Sequence, residues 1–294
     1  MPKIPLQVTS REPSEGLLIK LEQVKRLLRG FERVIVAYSG GVDSTLLAKL
    51  AHDVLGKENA LAVTADSPSL SREDLATARE VAARLDLKHL IVFTKETERS
   101  TYRSNTNTRC YVCKQELFGE LEELATAQQI PFVLYGAIGD DQLSDRPGQQ
   151  AALERGVRAP LQEVGLAKWE VRTLARALNI PNWDRPQNAC LSSRVPHGQE
   201  VTAEKLQQIE LTESFLRAQG FHQVRVRHLG AHARIEVGPE EVARFEDPRL
   251  CREVAKHFET LGFETVGVDR SGYHPGGADR SLIDEVLLNA IGKC

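Results

Sequence analysis

Short apolar runs and amphipathic stretches alternate along the first half of the chain. Four runs are apolar enough to be strands of a buried sheet, and they lie at residues 34–38, 61–65, 89–93 and 132–135. Around them, apolar residues recur every three or four positions, the period of an amphipathic helix. These helical stretches are residues 17–28, 44–55, 72–85 and 114–128. Alternating strands and helices predict an α/β fold with a doubly wound parallel sheet, which binds ligands at the carboxyl ends of its strands.

The pattern changes in the last third of the chain. A helix predicted at 167–178 is followed by an irregular stretch, which prolines 181 and 186 interrupt and which continues to Gly198. Beyond it, helices are predicted at 203–219 and 240–258, and strands at 223–228, 232–237 and 263–269. Helices mixed with alternating strands are typical of a small α+β domain. We therefore predict two domains, at residues 1–199 and 200–294.

The composition is that of an ordinary globular protein. Of the 294 residues, 41% are hydrophobic and 27% are charged, and the formal net charge is −3 at pH 7. A negative net charge argues against nucleic acid as the main partner. No stretch approaches the roughly 20 apolar residues of a membrane-spanning helix, and the amino-terminal segment lacks the apolar core of a signal peptide. We therefore predict a cytoplasmic protein with no membrane association.

The first predicted strand runs into a doubled glycine and then a helix. The sequence of this turn is Ser-Gly-Gly-Val-Asp-Ser, at residues 39–44. Glycine permits positive φ and close approach of a ligand, and a first helical turn offers free N–H groups, so such a turn binds phosphate. The pattern is neither the Walker A loop nor the dinucleotide fingerprint. The candidate ligand-binding residues are Ser39, Gly40, Gly41, Asp43 and Ser44. The alternative is an ordinary Gly-Gly turn.

Two adjacent carboxylates follow the fourth predicted strand. Asp140 and Asp141 lie at the edge of the sheet where a phosphate bound by the first loop would sit. Carboxylate oxygens suit Mg²⁺ on nucleotide phosphates, so either residue is a candidate magnesium ligand. The alternative is a solvated acidic loop that turns at Pro147 and Gly148.

Three of the five cysteines stand in potential site loops. Cys110 and Cys113 form a C-x-x-C pair in a predicted loop just before a helix, and Cys190 lies in the irregular stretch near residue 190. A single C-x-x-C is compatible with zinc, a redox pair or simple packing, whereas three thiolates at a nucleotide site suit an iron–sulfur cluster. Cys251 and Cys294 are expected to be structural or incidental.

Two arginines alternate with valines in the first strand of the carboxyl-terminal domain. Arg225 and Arg227 are expected to point to one face of that strand. Paired guanidinium groups suit a phosphate or two carboxylates. The alternative is a solvent-facing polar edge, on which Arg234 and Glu236 pair across the hairpin.

Several motifs together resemble one family of enzymes. The turn at 39–44 is similar to the pyrophosphate loop of the PP-loop ATPases, which cleave ATP between its α and β phosphates. This turn and five further motifs together resemble the LarE family of PP-loop sulfur transferases. The further motifs are Asn-Thr-Arg-Cys-Tyr-Val-Cys-Lys, Arg-Pro-Gly, Ala-Cys-Leu-Ser-Ser-Arg, Val-Arg-Val-Arg and Ala-Arg-Ile-Glu-Val. These further motifs lie at residues 107–114, 146–148, 189–194, 224–227 and 233–237.

The resemblance implies a fold and an activity. The fold is the PP-loop, or adenine nucleotide alpha hydrolase-like, doubly wound sheet, here a PP-loop ATP pyrophosphatase domain followed by a smaller α+β domain for substrate binding or oligomerisation. The family adenylylates the carboxylates of pyridinium-3,5-biscarboxylic acid mononucleotide with ATP and converts them to thiocarboxylates. This reaction belongs to the synthesis of the nickel-pincer nucleotide cofactor of lactate racemase. A homo-oligomer, in the family a hexamer, is implied as well.

The resemblance also assigns roles to residues. Ser39, Gly40, Gly41, Asp43 and Ser44 would bind ATP, and Asp43 and Cys190 would be catalytic. Arg225 and Arg227 would hold the substrate phosphate or a carboxylate. Members with only the cysteine that matches Cys190 sacrifice its sulfur, whereas members with the added C-x-x-C resemble enzymes that carry a 4Fe–4S cluster. Because this chain has all three cysteines, we expect a cluster on Cys110, Cys113 and Cys190 to deliver the sulfur.

Three other functions remain open at this point. A PP-loop tRNA thiolase also uses C-x-x-C and a third cysteine, but the chain shows neither zinc ribbons nor a basic RNA-binding face. Ammonia-dependent amidation, as in NAD or GMP synthetases, requires no such cysteine set. A nucleotide-binding regulator without chemistry does not explain why Asp43, the acidic pair and Cys190 all lie at predicted loop ends.

Overall fold

The computed structural model describes residues 12–141, 147–186, 188–274, 279 and 285–288. The chain divides into two compact units. The first unit comprises Met1–Ser67, Arg72–Glu96 and Cys110–Asn188, and the second comprises Pro68–Ser71, Thr97–Arg109 and Ala189–Cys294. The boundary that we predicted at residues 199 and 200 remains a prediction about domains, and the second unit also takes in two short segments of the amino-terminal half.

The predicted helices and strands occur in the predicted order, and the structure adds short helices at 100–103, 147–154 and 160–163 and a strand at 285–287. The α-helices are α1 (Glu15–Arg29), α2 (Val42–Leu55), α3 (Arg72–Arg84), α4 (Ser100–Arg103), α5 (Arg109–Ala127), α6 (Pro147–Glu154), α7 (Pro160–Glu163), α8 (Lys168–Ala177), α9 (Ala203–Ala218) and α10 (Pro248–Thr260). The strands are β1 (Val34–Ala37), β2 (Ala60–Asp66), β3 (Lys88–Phe93), β4 (Phe132–Tyr135), β5 (Val224–Leu229), β6 (His232–Val237), β7 (Thr265–Asp269) and β8 (Glu285–Leu287).

The first unit contains a parallel sheet with the strand order β3-β2-β1-β4. Helices cover both faces of this sheet. On one face, Val34 and Val36 of β1 belong to a core that includes apolar residues of α1, α2 and α8. On the other face, Ile35 packs with Phe118 and Leu121 of α5. This arrangement confirms the predicted α/β doubly wound fold, and it explains why β1 is apolar at successive positions.

The middle of the sheet positions the candidate site. Strands β1 and β4 are neighbours, with Ala37 of β1 paired to Tyr135 of β4. Because the strands are parallel, the loops that leave their carboxyl ends emerge at the same edge. The doubled glycine follows β1, and the loop with the two aspartates follows β4, so both loops belong to one edge of the first unit.

The second unit contains a mixed sheet with the strand order β5-β6-β7-β8. Strands β5 and β6 form the predicted antiparallel hairpin, β6 and β7 are parallel, and β7 and β8 are antiparallel. Val224, Val226 and Ile235 lie in a core with apolar residues of α9 and α10. The arginines of β5 alternate with these valines. The second unit is therefore the α+β structure that the sequence pattern indicates.

Two predicted elements differ in the structure. The helix predicted at 114–128 already begins at Arg109, so that Cys110 and Cys113 are its second and fifth residues and do not lie in a preceding loop. The helix predicted at 240–258 is divided into a 3₁₀ segment, Pro239–Glu246, and α10, which begins at Pro248. Proline disfavours helical conformation in the residue before it, and Asp247 caps α10 instead.

No helix in the described part of the chain is both long enough and apolar enough to cross a membrane.

Candidate active site

The loop between β1 and α2 is confined by neighbouring backbone. Gly40 has φ of +70°, and a Cβ atom there would lie 2.8 Å from Ala78 of α3. Gly136, directly after β4, would place a Cβ atom 2.8 Å from the backbone nitrogen of Ser44. Distances this short exclude a larger residue without movement of backbone. The two glycines therefore allow α3 and the end of β4 to close against the loop.

Hydrogen bonds within the loop fix its two serines. The Ser39 backbone N–H donates to Ser44 Oγ at 3.2 Å, and the two hydroxyl oxygens lie 3.1 Å apart. Ser44 Oγ also donates to the Gly41 carbonyl at 3.1 Å. Gly41 is the N-cap residue of α2 and has no side chain to occupy the first N–H groups of the helix. The loop is thus a preformed turn whose helical N–H groups suit an anion.

Asp43 is paired with a lysine that the sequence analysis missed. Lys168 Nζ, at the start of α8, lies 2.8 Å from Asp43 Oδ1 and 2.6 Å from Oδ2. Burial raises the pKa of Asp43, Lys168 opposes that shift, and the charge of Asp141 adds to it. A signal for Lys168 exists in the sequence, because a cation in the first turn of a helix runs against the helix dipole and needs another partner.

The structure distinguishes the two predicted magnesium ligands. Asp140 is exposed, and its Oδ2 accepts a hydrogen bond from the backbone N–H of Lys168 at 2.7 Å, so it satisfies an N–H group at the start of α8. Asp141 is half-buried, and its charge reaches Asp43. Two carboxylates close enough for the charge of Asp141 to raise the pKa of Asp43 are suited to share a cation with phosphate oxygens. Asp141 therefore fits a magnesium site with Asp43 better than Asp140 does.

Cys110 and Cys113 lie three residues apart near the start of α5, a spacing that places both on one side of a helix. Cys110 is exposed and Cys113 is half-buried. Gly148 of α6 explains the close packing here, because a Cβ atom at Gly148 would lie 2.9 Å from Lys114 Cγ and 3.5 Å from the Cys110 carbonyl oxygen. Arg146, of the Arg-Pro-Gly motif, lies outside the described residues. Thiol ligands on one side of a helix suit a metal or cluster.

Cys190 lies in the second unit, exposed at the start of a 3₁₀ turn, Leu191–Arg194. Arg194 is buried below it and donates to the Cys190 carbonyl at 2.8 Å. The same guanidinium forms a bidentate pair with Glu213 of α9, with Nε–Oε1 and Nη2–Oε2 distances of 2.9 and 3.1 Å. Burial opposes ionisation of Glu213, but Arg194 and Arg217 outweigh it and lower its pKa. Glu213, another residue that the sequence analysis missed, thereby fixes the backbone that carries Cys190.

The segment before the C-x-x-C pair is fastened to the same loop. Arg109 Nη1 donates to the Ser192 carbonyl at 2.8 Å, and the hydroxyl groups of Tyr102 and Ser192 lie 2.6 Å apart. Asn105, fully buried, donates to the Pro196 carbonyl at 2.7 Å. Arg109 is the residue immediately before Cys110 in the chain. Within the second unit, the Cys190 loop is therefore held by a segment that leads directly into the C-x-x-C pair.

Arg225 and Arg227 are buried, 6% and 3% exposed, which contradicts the solvent-facing alternative. Arg227 pairs with Glu236 across the hairpin at 2.7 Å and donates to the Ser193 carbonyl at 3.1 Å. Arg225 lies over the ring of Tyr273, 5.3 Å from its centre. Burial, reinforced by the charge of Arg194, lowers the pKa of Arg225 to about 10. A guanidinium that loses hydration in this way favours an anionic partner.

The other two cysteines, Cys251 and Cys294, are not part of the proposed site. Cys251 is buried in the core of the second unit and donates to the Phe245 carbonyl at 2.9 Å, which suits a structural role, and Cys294 lies outside the described residues. No three histidine, cysteine or acidic side chains of the described residues are grouped so as to hold a metal ion. Cys190 belongs to one unit and Cys110 and Cys113 to the other, so the three-cysteine site remains a prediction.

A parallel sheet with the Ser-Gly-Gly-Val-Asp-Ser turn at the end of its central strand defines the PP-loop class of ATP-using enzymes. The family model described as NAD synthase matches residues 4–117. The chain is also 36% identical to the glutamine-dependent NAD(+) synthetase of Thermotoga maritima over 88 residues, which are 30% of this chain and 15% of that protein. The chain is therefore an enzyme of the PP-loop class.

Two further relatives extend over nearly the whole chain. The chain is 35% identical over 256 residues to the pyridinium-3,5-bisthiocarboxylic acid mononucleotide synthase of Lactiplantibacillus plantarum, and the match covers 87% of this chain and 92% of that protein. It is 45% identical over 263 residues to an uncharacterized protein of Synechocystis sp., covering 90% of this chain and 98% of that protein. The chain belongs to the LarE family, which confirms the family inferred from the motifs.

Proposed function

We propose that the protein is an ATP-dependent sulfur transferase that converts the carboxylates of pyridinium-3,5-biscarboxylic acid mononucleotide to thiocarboxylates, a step in nickel-pincer nucleotide cofactor synthesis. The observation that carries this proposal is the similarity to the Lactiplantibacillus plantarum synthase, which spans 92% of that protein. In this proposal, residues 1–199 form the ATP-using domain, and residues 200–294 bind the substrate and contribute to a homo-oligomer.

The first half-reaction activates the substrate. A carboxylate resists nucleophiles because its negative charge is spread over two oxygens, so one of these oxygens attacks the α phosphorus of ATP. The bond from that phosphorus to the bridging oxygen breaks, pyrophosphate leaves, and the carboxyl group becomes an acyl-adenylate. In this scheme Ser39, Gly40, Gly41 and Ser44 bind the phosphates, and the first N–H groups of α2, which no side chain of the N-cap residue Gly41 occupies, stabilise the departing charge.

Lys168 and the carboxylates supply the charge balance for that step. Lys168 Nζ is held next to the loop by Asp43, and in this proposal it donates to a phosphate oxygen when ATP binds. Asp43 and Asp141 would hold Mg²⁺, since hard oxygen ligands suit this ion. When bound, Mg²⁺ neutralises the pyrophosphate. When ATP is absent, Lys168 supplies the positive charge beside Asp43. When ATP and Mg²⁺ bind, Mg²⁺ would supply that charge instead.

The second half-reaction brings in sulfur. A sulfur nucleophile attacks the acyl carbon, the bond from that carbon to the AMP oxygen breaks, and AMP leaves with a thiocarboxylate as the product. We propose that Cys110, Cys113 and Cys190 hold a 4Fe–4S cluster, which would supply a sulfide. The thiol ligand chemistry, the shared side of Cys110 and Cys113 and the exposed position of Cys190 support this assignment.

A second source of sulfur is favoured by one observation. Cys190 is exposed at the start of its 3₁₀ turn, where its own thiol is accessible to an acyl-adenylate. The Cys190 sulfur attacks the acyl carbon and AMP leaves, which gives a thioester. A base then removes the Cα proton of Cys190 and the Cβ–S bond breaks, so the thiocarboxylate is released and dehydroalanine remains after one turnover. Arg225 and Arg227, buried and cationic, are proposed to hold the phosphate or the second carboxylate of the substrate in either case.

One pair of measurements tests the proposal. Pyrophosphate and AMP are expected to form only when ATP and the pyridinium dicarboxylate are both present, and formation with tRNA instead would establish a tRNA thiolase. Anaerobic iron and sulfide analysis of the wild type beside Cys113→Ala tests the cluster, because the variant is expected to lose both elements. An active, iron-free wild type whose mass falls by one H₂S per turnover would establish sacrifice of Cys190.

A further inference from the structure

Asn182 contacts the phosphate-binding turn from a distant part of the chain. It follows α8 and is 6% exposed. Its Nδ2 donates to the Gly40 carbonyl at 2.7 Å and lies 3.3 Å from Thr45 Oγ1. Asn182 and Gly40 are separated by 142 positions and belong to the same compact unit. Nothing in the catalytic scheme above uses this contact, and the motifs of the sequence do not include Asn182.

The carbonyl groups of both glycines are engaged by the protein. The Gly40 carbonyl accepts the hydrogen bond from Asn182 Nδ2. The Gly41 carbonyl accepts hydrogen bonds from Thr45 Oγ1 at 2.8 Å and from the Thr45 N–H at 2.9 Å. In a planar trans peptide the N–H points opposite to the C=O. The Gly41 N–H belongs to the same peptide group as the Gly40 carbonyl, and the Val42 N–H to the same group as the Gly41 carbonyl. These two N–H groups therefore point away from Asn182 and Thr45, which bind the carbonyls.

We propose that Asn182 is a positioning residue for ATP, which fixes the Gly40–Gly41 peptide so that its N–H faces the phosphates. Glycine is the most mobile residue of the chain, and a flipped peptide would present its carbonyl oxygen to the anionic ligand. Ala78 restricts the size of the residue at position 40, but this close contact does not determine the orientation of the following peptide group. The hydrogen bond from Asn182 to the Gly40 carbonyl does determine it. The Gly41 N–H is only weakly occupied, by an exposed contact of 3.3 Å to Ser39 Oγ that a phosphate oxygen can replace.

The other end of the same amide indicates that Asn182 is not simply a packing residue. Its Oδ1 is buried without a hydrogen-bond partner. A buried amide oxygen without a partner is destabilising, and among the described residues the Asn182 side chain forms hydrogen bonds only through Nδ2, to the Gly40 carbonyl and Thr45 Oγ1. We therefore assign the function of Asn182 to its Nδ2 group, which binds the glycine turn.

The proposal rests on ATP use, which it deepens, and ATP affinity without any acceptor substrate tests it. The dissociation constant for ATP is measured by titration calorimetry for the wild type, Asn182→Ala and Asn182→Asp. Aspartate has the shape of asparagine but offers no N–H when ionised. We expect both variants to bind ATP about tenfold more weakly, which corresponds to the loss of one oriented hydrogen bond. Their affinity for adenosine, which has no phosphates, is expected to stay within about twofold of the wild type.

A matched control separates positioning from packing of the segment. Asn188 lies six residues further along the chain, and its Nδ2 donates to Asp74 of α3 at 2.7 Å. Asn188→Ala is expected to keep the ATP affinity of the wild type. The proposal is overturned if Asn182→Asp binds ATP as the wild type does, or if Asn188→Ala loses as much affinity as Asn182→Ala. If Asn182→Asp does not fold, Asn182→Ser replaces it, and its hydroxyl donor is expected to restore part of the affinity lost in Asn182→Ala.

The acceptor assignment does not enter this measurement. A failure of the pyridinium dicarboxylate to form AMP would refute the proposed function and leave the ATP titrations unaffected. Unchanged ATP affinity in the Asn182 variants would refute the positioning role and leave the proposed function unaffected.

Discussion

Replacing Lys168 by methionine separates the stability of the fold from nucleotide binding. Methionine keeps the length and most of the apolar stem of lysine and removes only the ammonium group. In the wild type that group contacts both oxygens of Asp43, at 2.8 and 2.6 Å. The side chains of Lys168 and Asp43 are 30% and 26% exposed, so the pair is neither a surface pair nor a fully buried one. Exposed pairs contribute about 0–1 kcal/mol, and breaking a buried pair costs about 3–5 kcal/mol. We expect Lys168→Met to lower the free energy of unfolding by about 2 kcal/mol at neutral pH.

The pH dependence of this loss has a definite sign. Burial raises the pKa of Asp43 and Lys168 opposes the shift, so removal of Lys168 raises that pKa further. A carboxyl whose folded-state pKa is raised binds more protons in the native state than in the unfolded state, and stability then falls as the pH rises. The difference between wild type and Lys168→Met is therefore expected to be small in acid, where Asp43 is neutral, and to grow towards neutral pH. Urea unfolding at a series of pH values measures it.

Adding Asp43→Asn to the variant tests the reasoning most sharply. The double variant has no unpaired carboxylate, so we expect it to regain most of the lost stability. Its ATP affinity should not recover, because the ammonium that meets the phosphates is still missing. Loss of a charge-assisted hydrogen bond of about 1.5–3 kcal/mol predicts about 10- to 100-fold weaker ATP binding in Lys168→Met. Equal stability of wild type and Lys168→Met at all pH values, or unchanged ATP affinity, would refute this account of the pair.

Two further predictions concern backbone contacts and a buried ion pair. Gly136→Ala places a methyl group 2.8 Å from the Ser44 nitrogen, so thermal unfolding and ATP titration are expected to show a lower melting temperature and an affinity loss of about tenfold or more. Gly16→Ala, whose Cβ atom has no neighbour within 4 Å, is the matched control and should be neutral or stabilising. Glu213→Gln removes the buried negative charge that pairs with both Arg194 and Arg217, and it is expected to destabilise the fold by about 3 kcal/mol in urea unfolding. Since the arginines hold the pKa of Glu213 low against burial, the wild type loses this stabilisation as the pH falls through that pKa, whereas Glu213→Gln should lack the acid-dependent loss. Equal acid sensitivity of the two proteins would contradict the role of the pair.

The first sheet was predicted correctly because each of its strands and helices shows its own pattern of apolar residues over a short stretch of sequence. Each strand of the first unit is a short apolar run next to an amphipathic helix, and the period of the apolar residues changes between the two. The glycine turn is likewise read from consecutive residues. The early start of α5 was also readable, since Thr108, a residue type favoured before a helix, precedes Arg109. The division of the helix before Pro248 was readable for the same reason, because proline is tolerated at the beginning of a helix and not in its interior.

The partners of the candidate site were not predictable in the same way. Lys168 and Asp43 are 125 positions apart, and Asn182 and Gly40 are 142 apart, so no periodicity links them. The burial of Arg225 and Arg227 was also hidden, because an alternating strand has one polar face whether that face meets solvent or another part of the fold. Such contacts depend on how the elements pack, which a single sequence does not encode in any local pattern.

The environment of Arg225 favours an anionic ligand if this residue has the proposed role in substrate binding. Buried charges of both signs surround β5 and β6 in the described residues, namely Arg194, Arg225, Arg227, Arg234, Glu213, Glu236 and Glu241. Burial and the charge of Arg194 both lower the pKa of Arg225, because a buried cation near a second cation is disfavoured. An anion bound beside Arg225 would offset both effects, whereas a neutral ligand of the same shape would offset neither. The proposed role of Arg225 therefore predicts that the substrate phosphate or carboxylate contributes to affinity through this side chain.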